Sequence, residues 1–382
     1  MPGRSVIHTI TPGDHFSPRT GSALPTVVHL LADAAVAAGD EQHAVVLDRT
    51  TYVPRYPGVR LIEYDRGPGV TRTGRYLDAA AGRVGLTRRH QSAWFAPLAD
   101  AVRGEPASHV LAHNAPLMPW LLRGTDHRVS IYAHNQLFRT FSRGEADRIV
   151  GEAAAVICVS DALADDTRRL LPRALASRVV VVENPVDTIR FMPAKPRREG
   201  PVRVLFVGRM IPEKGADVLA RAAADFSAER VEFTFIGSQG FNPAAPLSAY
   251  EESLRGIARA HPSAAMTFLP FLDRDELPDR YADADILVVP SRWAEPSGLT
   301  IAEGMASGLA VVAADVGGIP SVIGDAGVLV PPDDPAALAV ALTHLIEDAE
   351  TRAALAKAAR LRAETRDAAW AWRSLKGTLH AL

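Results

Sequence analysis

The sequence predicts an α/β protein built from two doubly wound parallel-sheet domains. Three observations predict it. The chain has 382 residues, more than one core of ordinary size accommodates. Short apolar runs rich in valine recur along it, each followed by a loop and then a helical pattern. A stretch rich in proline and charge, "NPVDTIRFMPAKPRREG" from Asn184 to Gly200, divides the runs into two series.

The first series opens with two weaker runs, "HAVVLD" (His43 to Asp48) and "HVLAHN" (His109 to Asn114). It continues with "VSIYA" (Val129 to Ala133), "AAVICVS" (Ala154 to Ser160) and "RVVVVEN" (Arg178 to Asn184). The second series comprises "VRVLFVG" (Val202 to Gly208), "VEFTFIG" (Val231 to Gly237), "AMTFLP" (Ala265 to Pro270), "DILVVPS" (Asp285 to Ser291) and "LAVVAAD" (Leu309 to Asp315). Near-continuous apolar runs of this length are strands buried on both faces, as in parallel sheets covered by helices. Helical patterns such as "GADVLARAAADF" and "DPAALAVALTHLIEDA" alternate with them, which is the doubly wound arrangement. The expected domains are residues 1–187 and 188–364. Residues 365–382 carry two tryptophans on a helical pattern, so this tail is expected to be a docked helix returning toward the first domain.

Composition narrows the class. Nearly half the residues are apolar, under a quarter are charged, and the net charge is −2. A nucleic-acid binder would show a basic excess. A single cysteine, Cys158, excludes an internal disulfide framework and fits a reducing compartment. The N-terminal "MPGRSVIHTITPGD" lacks the apolar run of a signal peptide, and no stretch is long and apolar enough to span a bilayer. A cytoplasmic protein is expected. Lysine occurs at four positions only, Lys195, Lys214, Lys357 and Lys376.

Ligands of open α/β sheets bind beyond the carboxyl ends of the strands, so function is sought in the residues after each run, at a cleft between the two domains. "RWAEPSGLTIAEGMASG" follows the run ending at Ser291. Ser297 reads as the N-cap of a helix starting near Gly298 and ended by Gly308. The N–H groups of Gly298, Leu299 and Thr300 then form an anion site, since a helix start binds negative charge and glycine allows close approach. Glu295 in the loop and Glu303 in the helix are placed to accept hydrogen bonds from hydroxyls. A capped helix with acids near its positive end is the plain alternative. Arg209 and Lys214 follow the run ending at Gly208 and suit a diphosphate; two solvated cations is the competing reading. Gly237 and Ser238 open a loop suited to backbone approach, and Phe271 offers a wall for a flat base. In the first half, His113 and His134 end two runs in matching fashion, and Gly21 and Ser22 precede a helix. No GxGxxG follows a run, no Walker A motif appears, and no His/Cys spacing suggests zinc. No metal and no bound cofactor are expected. The basic region from Arg72 to Arg103, with Trp94 and Phe95, reads first as an amphipathic core-packed helix with a solvated arginine face. An acceptor groove or a membrane-surface patch is the second reading.

Three stretches, "VVENPVDTIRF", "VGRMIPEKGADVL" and "ADILVVPSRWAEPSGLTIAEGMASGLAVVAADVGGIPSVI", together resemble retaining glycosyltransferases of the GT-B fold. The likeness is to the E-x7-E group of bacterial mannosyl-, glucosyl- and N-acetylglucosaminyltransferases. It covers most of the second half and is looser in the first, at the loop near Gly21, "LAHN" and "CVSDAL". The fold it implies is two Rossmann-like domains facing across a cleft. By the resemblance, Arg209 and Lys214 neutralise the donor diphosphate, Glu295 meets the donor sugar, and Glu303 binds the ribose hydroxyls. Gly298 to Thr300 lie under the distal phosphate, and His113 contacts the sugar near the reacting carbon. Two departures stand out: Asn184-Pro185 where Asn-Gly is common, and Gly21-Ser22-Ala23 where Gly-Gly and an acid are common.

The expected reaction is metal-independent transfer of a hexosyl or N-acetylhexosaminyl group from a nucleotide-diphosphate sugar, UDP before GDP, to a hydroxyl-bearing small molecule or glycan. Retention through a front-face route comes from the resemblance, with His134 and Asn184 as further sugar or acceptor contacts. A sugar-nucleotide epimerase or sugar phosphorylase on the same architecture, or a nucleotide-sugar binder without turnover, are the rivals.

Overall fold

The structure, a computed structural model, describes residues 5–40, 42–193 and 200–382. The last part of the proline-rich boundary stretch therefore lies outside the described residues. The chain forms two units, one of residues 1–185 with 368–382, the other Val186–Asp367.

The first unit holds a seven-stranded parallel sheet. In chain order its strands are β1 (Val6–Thr9), β2 (His43–Asp48), β3 (Arg60–Tyr64), β4 (His109–His113), β5 (Arg128–Ala133), β6 (Val156–Cys158) and β7 (Val179–Val181). Their spatial order is β3-β2-β1-β4-β5-β6-β7. Two of these strands escape the reading of apolar runs. β1 is short and carries His8 and Thr9, yet all four of its residues are buried. β3 is an edge strand whose burial is partial, so it never needs a continuous apolar run.

The second unit holds a six-stranded parallel sheet. It comprises β8 (Val202–Val207), β9 (Val231–Ile236), β10 (Ala265–Leu269), β11 (Ile286–Val289), β12 (Ala310–Ala314) and β13 (Val328–Val330), ordered β10-β9-β8-β11-β12-β13. β13 is a three-residue edge strand, too brief for periodicity to reveal. Both sheets are doubly wound and share one logic. The strand order reverses beside the first strand, between β1 and β4 in one unit and between β8 and β11 in the other. Such reversal points are where open sheets bind ligands. The pairings His8↔Leu111 and Leu205↔Leu287 fix the register there.

The helix Ala368–Ala381 belongs to the first unit and packs on the helix Ala23–Ala37. Trp372, Leu375 and Leu379 bury their side chains in the same core cluster as Val27 and Leu31. The Trp372 indole N–H donates to Asp40 Oδ2 at 3.0 Å, and Lys376 Nζ pairs with the same carboxylate at 2.8 Å.

The basic region forms two helices, Arg72–Arg83 and Arg89–Arg103. The second is amphipathic as read, burying Phe95, Leu98, Ala99 and Val102. The first departs from that reading: it buries Gly74, Asp78 and Gly82 and leaves Tyr76 and Leu77 exposed. No helix among the described residues is long and apolar enough to cross a membrane.

Candidate functional site

At the reversal point of the second unit, β8 and β11 each end in a loop that carries charge. The β8 loop is anchored by glycines. A side chain at Gly237 would place its Cβ 1.9 Å from the Gly208 carbonyl oxygen, and one at Gly215 would lie 1.9 Å from that of Pro290. Gly215 also has φ +70°, a left-handed conformation that glycine adopts freely. It closes the 3-10 turn Pro212–Lys214. These close approaches bring Lys214 to the β11 loop.

Lys214 Nζ donates to Glu295 Oε1 at 2.6 Å, and Ser291 Oγ donates to the same oxygen at 2.6 Å. Glu295 is buried and Lys214 half-buried. Arg209, two residues beyond the end of β8, is solvent-exposed on the same loop. The structure thus joins two of the residues singled out from sequence into one ion pair.

The helix after this loop runs Leu299–Ala306 and starts at Gly298, with no side-chain cap. This corrects the expected cap at Ser297, whose side chain is buried instead. Gly298 has φ +152°, and a Cβ there would lie 2.9 Å from Ile301 Cδ1. A glycine therefore opens the helix where a serine was read, and its first turn lacks a side-chain acceptor. An uncapped helix start offers backbone N–H groups and a positive dipole end to an anion. Leu299 and Thr300 are half-buried at that start.

Glu303 lies one turn further on and is buried. Its Oε1 is ion-paired with Arg274, and its Oε2 accepts from the Tyr281 hydroxyl at 3.1 Å. Burial, and then the neighbouring Glu303 charge, hold the Tyr281 phenol well above its ordinary pKa, so it remains a donor. Neither Arg274 nor Tyr281 emerges from the sequence: one sits in a loop of alternating charge, the other reads as core. Ser238 Oγ accepts from the Phe271 N–H at 3.1 Å and so fixes that loop. Phe271 is half-buried, and the exposed Phe241 ring lies 5.6 Å from it.

The first unit gathers histidines at its own reversal point. His8 Nδ1 lies 3.0 Å from His113 Nε2, and His113 Nδ1 lies 2.8 Å from His134 Nε2. The Tyr132 ring stacks 4.8 Å from both His113 and His134. His8 and His113 are fully buried, while His134 is half-buried. Burial depresses all three, His134 to about 3 and the other two well below the usual imidazole range. They are neutral at pH 7, so each can donate one hydrogen bond and accept one. His113, expected to meet a sugar directly, has both ring nitrogens engaged by other histidines. Only the His134 end of the chain has exposed surface. His8 went unseen because β1 went unseen.

Ser22 caps the helix Ala23–Ala37 without a side-chain bond to it; its hydroxyl donates to Asp14 Oδ2 at 2.9 Å. Burial raises the Asp14 pKa. Gly21 is exposed beside it. Asn184 is half-buried, and its Oδ1 has no hydrogen-bond partner among the described residues. Among the described residues no group of three or more His, Cys, Asp or Glu side chains is placed to hold a metal ion.

Comparison with known proteins places these features in context. Residues 187–362 match the family described as Glycosyl transferases group 1. The D-inositol 3-phosphate glycosyltransferase of Salinispora tropica is 31% identical, over 94% of this chain and 81% of its own. Among solved structures, the sucrose-phosphate synthase of Thermosynechococcus elongatus superposes with a TM-score of 0.75 at 23% identity, covering 99% of this chain and 100% of that one. Anabaena Alr3699/HepE, in complex with UDP and glucose, gives 0.72 at 19% identity with the same coverage.

Proposed function

The chain belongs to the glycosyl transferases of group 1, and from that membership we propose that it moves a hexosyl or N-acetylhexosaminyl group from a UDP-sugar to a hydroxyl acceptor, with retention and without a metal. The observation that carries the reading is the Lys214–Glu295 pair beside the uncapped helix start at Gly298. Breaking a glycosidic bond to a diphosphate builds negative charge on the leaving oxygens. Lys214, the exposed Arg209 and the helix start together supply positive charge for it. Groups aimed at developing charge in a dry site contribute about 3 kcal/mol each.

Glu295 receives both of its bonds on Oε1. On this reading Oε2 accepts from a hydroxyl of the donor sugar, so one side chain orients the sugar and also holds the lysine in place. Glu303 serves the ribose hydroxyls while Arg274 and Tyr281 keep it fixed; a carboxylate oxygen accepts more than one bond. Phe271 and Phe241 flank the base. In the first unit the neutral His113 positions His134, which serves a substrate hydroxyl as a hydrogen-bond partner and not as a titrating acid. The leaving phosphate oxygen takes the acceptor's proton on the face it departs from.

The acceptor is read as a small hydroxyl compound, and the name of the Salinispora tropica relative makes inositol 3-phosphate the first to assay. The experiment is incubation with UDP-glucose and with UDP-N-acetylglucosamine, with and without EDTA, and NMR of the product. An α-linked product formed equally with EDTA supports the reading. An inverted product, or transfer abolished by EDTA and restored by a divalent cation, overturns it.

A further inference from the structure

The helix Arg72–Arg83 is inside out. Its buried stripe is Gly74, Asp78 and Gly82, spaced four apart. On the opposite face Tyr76 is 64% exposed and Leu77 56% exposed. Just past the helix end, Val84 is 71% and Leu86 62% exposed. Soluble helices turn such residues inward.

The orientation is fixed by a polar seat. Asp78 accepts from the His90 and Gln91 N–H groups at 3.1 and 2.7 Å. A side chain at Gly82 would place its Cβ 2.2 Å from the Glu145 carboxylate, and one at Gly74 would lie 3.1 Å from the His90 ring. Glu145 is itself locked by the buried Arg88, whose Nε lies 2.6 Å from Oε1 and whose guanidinium covers the Phe141 ring at 3.9 Å. The helix cannot roll its leucine inward without breaking these contacts. Hence the apolar face is held outward by construction.

Charge identifies what covers it. Arg72, Arg75, Arg83 and Arg89 are all exposed around the apolar residues. The one acid between residues 71 and 90 is Asp78, which is buried. Four positive charges thus surround this patch on a chain whose net charge is −2. A second copy of the same face would oppose arginine to arginine. A convex helix face does not enclose a small molecule. A surface with fixed negative charge over an apolar interior fits both halves of the patch.

We propose that the face formed by Arg72–Arg83 and the following residues to Arg89 docks on an anionic phospholipid surface. Tyr76, Leu77, Val84 and Leu86 enter the headgroup boundary and the arginines pair with lipid phosphates. None of these residues belongs to the transfer site described above.

The test is sedimentation of the full chain with vesicles of phosphatidylcholine alone, and with vesicles of equal parts phosphatidylcholine and phosphatidylglycerol. Binding is expected to the mixed vesicles, with at most a tenth of that affinity for the neutral ones. L77S/L86S should lower it by about tenfold or more, and R75E/R83E should abolish it. These exposed positions leave the melting temperature and transfer to a soluble acceptor unchanged, which separates a binding defect from misfolding. No sedimentation with mixed vesicles overturns the proposal, as does binding indifferent to both double variants. A dimer that L77S/L86S dissolves in ultracentrifugation would overturn it too, by assigning the face to a second copy.

Discussion

Lys214 Nζ and Glu295 Oε1 lie 2.6 Å apart although 81 residues separate them in the chain. The contact bridges the loops that follow β8 and β11, the two strands flanking the sheet's reversal point. It holds the ammonium against the β11 loop. A lysine is otherwise a flexible point charge, so prior positioning by a carboxylate lowers the reorganisation needed when negative charge develops.

Lys214→Ala is therefore expected to lower turnover more than donor affinity. Loss of one preorganised electrostatic group corresponds to about 10²–10³-fold in kcat, while in the proposed site Arg209 and the helix start would still hold the diphosphate. Steady-state kinetics beside calorimetric binding of UDP separate the two quantities. An unchanged kcat with weakened UDP binding would show that Lys214 only binds.

Glu303 makes a contrasting prediction, because its first effect is on stability. Glu303→Ala removes an ion-pair partner of Arg274, a buried cation, and the nearer acceptor of the Tyr281 hydroxyl, leaving it the Thr300 carbonyl at 3.4 Å. Breaking a buried pair from one side costs about 3–5 kcal/mol. Removing both charges in Glu303→Gln with Arg274→Met should cost less than Glu303→Ala alone. Urea melts of the three proteins test the ordering; a double variant less stable than Glu303→Ala sinks it.

What the sequence made legible follows from how each feature is encoded. Strands buried on both faces, such as β11 and β12, announce themselves as valine runs, and they carried the two-sheet architecture with them. The β11 loop and its helix were readable because glycine, proline and glutamate at fixed offsets have few other uses. What escaped depends on long-range contact. Arg274 reaches Glu303 across 29 residues, and His8 reaches His113 across 105; no local pattern reports such pairs. The inverted helix at Arg72 was misread for a related reason. Its arginines imply a solvated face, but only the seat formed by His90 and Glu145 decides that Gly74 and Gly82 turn inward instead of Leu77.

The histidine chain gives the first unit a pH dependence of definite sign. His8, His113 and His134 have folded pKa values below the ordinary 6.5, His134 at about 3, and burial is the main cause. Below about pH 6.5 the unfolded chain takes up protons that the folded chain refuses. Stability is therefore fully present above that pH and is lost as pH falls from about 6.5 toward 3. Each such group adds a slope of about 1.4 kcal/mol per pH unit within the window. Urea midpoints at neutral pH and at mildly acidic pH measure it, and His134→Gln should flatten the slope by about one proton. An unaltered slope in that variant rules His134 out as a contributor.

Trp372 ties the returning helix Ala368–Ala381 to the first unit by two means at once. Its ring is buried in the core cluster and meets the His43 ring edge-on at 4.8 Å, and its indole N–H reaches Asp40. Trp372→Ala should cost about 3–5 kcal/mol, since a buried indole leaves a cavity that its neighbours fill only in part. Asp40→Ala should cost under about 1 kcal/mol, because that carboxylate and Lys376 are both partly exposed and solvent screens their pairing. Packing, not the ion pair, then fixes the helix. Hydrogen exchange of the β1 and β2 amides reads the first unit without assuming that both units unfold together. Equal losses of protection in the two variants would remove this ranking, and a greater loss in Asp40→Ala would make Asp40 the principal tie.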